Sequence, residues 1–81
     1  MQKSALITGG SRGIGYGIAV ALAQQGYNLA INGVRSEEHV QDQLNILKNH
    51  NIDVIYCQGN IGDRVDRDGI IAKAIKRFRC I

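Results

Sequence analysis

The chain has 81 residues, 44% of them hydrophobic and 21% charged, with a formal net charge of +3. That size allows one small domain, burying only ~60–65% of its unfolded surface and therefore marginal in stability. No apolar stretch approaches the ~20 residues of a membrane span, and Met1-Gln2-Lys3 leads into a strand pattern instead of a signal peptide, so a cytoplasmic location with no membrane partner is expected.

Lys3 to Thr8 reads as a strand built on Ala5-Leu6-Ile7, and from Ile14 to Gln25 the pattern turns helical. The predicted buried stripe of that helix is Ile14, Ile18, Ala21, Leu22 and Gln25, with Gly26 as its C-terminal cap. Tyr27 to Asn32 is a second strand, around Leu29-Ala30-Ile31. Ser36 is expected to cap a second helix, with Glu37 and Glu38 in its first turn and Val40, Leu44 and Leu47 buried. Asp53 to Gln58 is a third strand. Asp63 then caps a third helix, from about Arg64 to Phe78, whose expected buried face is Ile70, Ile71, Ala74, Ile75 and Phe78.

This βαβαβα alternation predicts an α/β fold, the N-terminal half of a Rossmann-type doubly wound parallel sheet with strand order 3-2-1. The strands are short apolar runs, as expected when helices cover both faces. Their carboxyl ends define the ligand crevice, where the glycine turn, Asn32 to Ser36 and Gly59 to Asp63 converge.

Between the first strand and the first helix lies Thr8-Gly9-Gly10-Ser11-Arg12-Gly13-Ile14-Gly15. At such a junction unpaired backbone N–H groups and the positive end of a helix dipole attract a pyrophosphate. Glycine lets the backbone come close to the phosphate and adopt positive φ. The general G-x-G-x-x-G fingerprint would need glycine where Ile18 stands. The form present is T-G-x-x-x-G-I-G, with Gly9, Gly13 and Gly15. It resembles the short-chain dehydrogenase/reductase family, and Gly10-Ser11-Arg12-Gly13-Ile14-Gly15 is most similar to the 3-oxoacyl-(acyl-carrier-protein) reductase branch.

The second strand of an NAD-binding unit usually ends in an acidic residue. Here Asn32-Gly33-Val34-Arg35-Ser36 holds no carboxylate before Glu37. A carboxylate repels the extra phosphate of NADP, whereas a guanidinium holds it through paired charged hydrogen bonds. Arg35 and Arg12 are both available, and Arg12 resembles the basic residue of NADP-preferring family members. NADP(H) is therefore expected, with Glu37 turned to the ribose of NAD(H) as the alternative. The resemblance also implies that Asn60-Ile61 contacts the adenine. The expected cofactor-binding set is Gly9, Ser11, Arg12, Gly13, Ile14, Gly15, Arg35, Ser36, Asn60 and Ile61, with no metal site.

The resemblance runs from residue 3 to about residue 78, roughly the first third of a family member. It implies that the catalytic tyrosine, lysine, serine and asparagine have no counterpart here. Tyr16, Tyr27 and Tyr56 are followed four positions later by Val20, Ile31 and Asn60, so no Tyr-x-x-x-Lys is present. The expected reading is the cofactor-binding portion of an NADPH-dependent carbonyl reductase, inactive alone, with a 3-oxoacyl thioester as the parent substrate. A non-catalytic nucleotide-binding module and a truncated or frame-shifted product are the alternatives, the last suggested by the ending Arg79-Cys80-Ile81.

Without a fourth strand the first strand is an open edge, so self-association is a further expectation. Cys57 and Cys80 lack metal spacing and read as free thiols. His39 and His50 read as surface side chains. Asp63, Asp66 and Asp68 accompany the basic residues of the last third, acids near the start of the third helix and most bases near its end, as the helix dipole favours. No aromatics are interleaved to stack on nucleobases, so no nucleic-acid partner is expected.

Overall fold

The computed structural model describes residues 3–79. Three short apolar runs form β1 (Ser4–Ile7), β2 (Asn28–Gly33) and β3 (Val54–Gln58), joined in one parallel sheet with β2 central. The register sets Ile7 beside Ile31 and Ile31 beside Tyr56. Parallel neighbours need a crossover. One is α1 (Gly13–Gln24); the other is a 3₁₀ turn (Glu37–Val40) running into α2 (Gln41–Lys48), and α3 (Arg64–Phe78) follows β3. The expected α/β alternation and strand order are both present.

Alternation along the strands distributes the core to two faces. Ile7, Leu29, Ile31, Val54 and Tyr56 pack under Ala19 and Ala23 of α1 and Leu44 and Leu47 of α2. On the other face Ala30 and Cys57 meet Ile70 and Ala74 of α3. Side chains such as Leu44 and Leu47, removed almost completely from water, each contribute about 1.5–3 kcal/mol. Burial pushes the Cys57 thiol above its ordinary value, with nearby Lys73 opposing, so this free cysteine is a weak nucleophile. Cys80 lies outside the described residues.

Three expectations need correction. In α1 the buried residues are Ala19 and Ala23, whereas Ile14 is 86% and Ile18 49% exposed. The helix presents the small side chains of Ala19 and Ala23 to the sheet because close approach leaves little room for bulk there. In α3, Ile70 and Ala74 are buried but Ile71 and Ile75 are exposed. The second helix begins as a 3₁₀ turn, and Ser36 makes no capping bond: its Oγ lies 2.7 Å from His39 Nδ1 instead. Asp63 does cap α3, its Oδ1 accepting from the Asp66 amide at 3.1 Å. Gly26, at φ 84°, supplies the left-handed residue just beyond α1.

At the amino end of β3, Arg77 of α3 donates to Asp53 through Nε at 2.6 Å and Nη2 at 2.8 Å. That pairing holds the Asp53 carboxyl below its ordinary value against a smaller effect of burial. Among the described residues no helix is long and apolar enough to cross a membrane, and no cluster of three metal-ligating side chains occurs.

Candidate functional site

The loop from Thr8 to Arg12 carries the chain from β1 into α1 at the carboxyl edge of the sheet. It is stitched to β2 by the Gly10 amide, which donates to the Asn32 carbonyl at 3.1 Å. Gly13 has φ 61°, the left-handed region that glycine enters without penalty. Gly15 is required for a different reason: a β-carbon there would run into the carbonyl oxygen of Gly9. The first helical bond runs from the Tyr16 amide to the Arg12 carbonyl at 3.2 Å, and no side chain caps the N-terminus. The amides of Gly13, Ile14 and Gly15 precede that bond, so donors and dipole are both open to an anion.

Beside this turn lies a cleft of about 210 Å³, lined by Gly9, Arg12, Asn32, Gly33, Val34, Arg35, Gly59, Asn60 and Ile61. Gly9, Arg12, Arg35, Asn60 and Ile61 of the expected set thus come together from three separate loops. Gly13 and Gly15 lie next to the cleft in the helix start. Ser11 is buried and is not among the lining residues. Ile14 points outward, and Ser36 lies one residue beyond the lining, engaged with His39. The Asn60 side chain is also partly occupied, since its Oδ1 accepts from the Gly62 amide at 2.9 Å.

Arg35 has the most telling environment. Its Nη2 is buried and has no hydrogen-bond partner among the described residues. A buried cationic donor without an acceptor is costly, and an anion in the adjoining cleft would relieve it. Glu37, the first carboxylate after β2, is exposed and absent from the lining.

Sequence reasoning missed two supports of the cleft. Asn32 is buried, and its Nδ2 donates to the carbonyls of Cys57 at 2.9 Å and Gly59 at 3.0 Å, tying the ends of β2 and β3. Tyr56 reaches up from β3, its hydroxyl donating to the Arg35 carbonyl at 2.6 Å. A polar residue inside an apolar strand was the available signal for both, because a buried polar group needs a partner.

An uncapped helix N-terminus after a glycine turn, at the carboxyl edge of a parallel sheet, defines a Rossmann-type unit with an anion-binding turn. A family model described as short chain dehydrogenase matches residues 3–81, and the chain belongs to that family. A 3-oxoacyl-[acyl-carrier-protein] reductase FabG from Staphylococcus aureus is 38% identical over 78 residues, covering 96% of this chain and 32% of that protein. Versicolorin reductase 1 from Aspergillus parasiticus is 34% identical over 76 residues, covering 94% of this chain and 29% of that protein. Two solved structures superimpose closely. An alcohol dehydrogenase from Thermococcus sibiricus complexed with 5-hydroxy-NADP gives a TM-score of 0.86 at 34% identity, over 96% of this chain and 33% of that one. A Brucella melitensis 3-oxoacyl-[acyl-carrier protein] reductase in complex with NAD gives 0.84 at 31% identity, over 95% and 29%. The chain therefore spans about a third of the length of these relatives.

Proposed function

We propose that this chain is the NADP(H)-binding portion of a short-chain dehydrogenase/reductase whose parent reaction is reduction of a carbonyl, a 3-oxoacyl thioester being the substrate class that the reductase relatives suggest. The observation that carries the choice of NADP(H) is the buried, unpartnered Nη2 of Arg35, at a cleft whose lining includes a second arginine and no carboxylate. A phosphate monoester offers the acceptors and charge that this guanidinium lacks.

The residues present fit such a cofactor. The amides of Gly13, Ile14 and Gly15 suit a pyrophosphate, Arg35 and Arg12 suit a ribose phosphate, and Asn60 with Ile61 borders the adenine side of the cleft. When bound, a reduced nicotinamide dinucleotide supplies a hydride. The protein's own contribution here is to bind and orient. The 81 residues contain no Tyr-x-x-x-Lys, so no group of this chain is assigned to protonate a substrate.

Titration calorimetry with NADPH and NADH tests this reading. Tighter binding of NADPH is expected, with that preference lost in Arg35→Asp. Equal affinities in the parent chain would sink the assignment of Arg35. Self-association through the free edge of β1, and residence in the cytoplasm, belong to the same reading.

A further inference from the structure

The guanidinium of Arg35 belongs to a loop with few restraints of its own, so something must fix where it sits. Val34, next to it, is 65% exposed, and regular pairing ends at β2's last residue, Gly33. The strongest tie comes from β3. Tyr56 is buried in the core under α1 and α2, and its hydroxyl donates to the Arg35 carbonyl at 2.6 Å. A weaker tie runs from Gln58 Nε2 to the Val34 carbonyl at 3.4 Å.

The same hydroxyl explains Gly33. A β-carbon at position 33 would lie 2.7 Å from Tyr56 Oη and 3.2 Å from Ser11 Oγ. Gly33 and Tyr56 are therefore one device: the missing side chain opens the passage through which the tyrosine reaches the loop. Tyr56 is also held from below, its carbonyl accepting from Lys73 Nζ at 2.5 Å. Burial pushes the hydroxyl above the ordinary tyrosine value, with the Arg35 charge opposing, so it stays protonated and donating at neutral pH.

We propose that Tyr56 is a positioning residue for cofactor discrimination: its bond to the Arg35 carbonyl, made through the gap left by Gly33, holds the loop in the shape that leaves the Arg35 guanidinium at the cleft. This rests on the reading that Arg35 selects for NADP(H). It assigns the preference to a pair, Gly33 with Tyr56, neither of which carries the charge that selects the phosphate.

The test is a set of variants of the full chain: Arg35→Gln, Tyr56→Phe, Gly33→Ala and the double variant Gly33→Ala/Tyr56→Phe. Dissociation constants for NADPH and NADH are measured on each, with melting curves as the check on folding. Arg35→Gln is expected to weaken NADPH about 10- to 100-fold, the worth of a charged hydrogen bond, and to leave NADH unchanged. Tyr56→Phe keeps the ring in the core and is expected to weaken NADPH about three- to tenfold, again sparing NADH. Gly33→Ala should do the same by displacing the hydroxyl. Because both act on one contact, the double variant should be no worse than either single.

A readout without cofactor separates the two ideas. ¹⁵N relaxation of the free chain should show Val34 to Ser36 gaining motion in Tyr56→Phe and in Gly33→Ala, but not in Arg35→Gln. If Arg35→Gln abolishes the preference while Tyr56→Phe keeps it and the loop stays rigid, the positioning role is overturned and the arginine reading stands. If Arg35→Gln changes nothing, the arginine reading fails first. Equal weakening of both cofactors in Tyr56→Phe would mark a merely structural tyrosine and overturn the proposal.

Discussion

Gly15 carries the tightest constraint in the turn, because a β-carbon there would run into the backbone of Gly9 and Gly10. Gly15→Ala is therefore expected to destabilise the chain by about 1–3 kcal/mol, the usual cost of forcing atoms into a packed site. Gly17, two residues on, has open space around its Cβ position, so Gly17→Ala should not destabilise and serves as the control in the same denaturant series. Because alanine is the better helix former, a Gly15→Ala variant as stable as Gly17→Ala would show that the Gly9 contact does not set the requirement. At this scale the glycines were readable from sequence, since their spacing states where backbone must meet backbone. The roles of Gly33, Asn32 and Tyr56 were not, because each depends on a partner 21 to 27 residues away. The burial of Ser11 is not legible in the sequence for the same reason.

Among the elements, α3 is the one whose ends are explicitly fastened. Asp63 caps its start, and Asp66 returns the favour by accepting from the Asn60 amide at 2.9 Å. Asp63→Ala should cost about 1 kcal/mol and, in a domain this small, lower the melting temperature by about 4–8 °C. An unchanged melt would mean that water replaces the cap at no loss. Near its other end Arg77 grips Asp53. The carboxyl's folded pKa is depressed, so its stabilisation is fully present above the ordinary value of 3.8 and disappears as pH falls through the lower folded value. The stability gap between wild type and Asp53→Asn is thus expected to be constant near neutrality and to close in acid. A gap that persists at low pH would assign the effect to packing. The pair is largely exposed, so its contribution is small. Helix existence, caps and the α2 stripe were legible because they are local patterns. The buried faces of α1 and α3 are not legible in the same way, because periodicity ranks residues by hydrophobicity, whereas the sheet accepts small side chains where a helix comes closest.

For the whole molecule the consequence is an unbalanced sheet. Among the described residues β1 pairs with β2 alone, so one edge is free, and Ile14, Ile18, Ile71 and Ile75 add exposed apolar surface. Edges of this kind invite pairing with another chain. Sedimentation velocity is expected to show association that rises with concentration; a monomer throughout would remove that expectation. Ile14→Lys should reduce association without lowering the melting temperature, because Ile14 is already 86% exposed. By itself the sequence determined the alternation of strands and helices, the parallel sheet, the phosphate-binding turn and the lack of a carboxylate between β2 and Glu37. All of these are written in short-range spacing. Only the tertiary structure decided which face each helix buries, which expected residues line the cleft, and how Tyr56 and Gly33 hold Arg35. Those depend on distances between segments remote in the chain, which become defined only when the sheet brings them together.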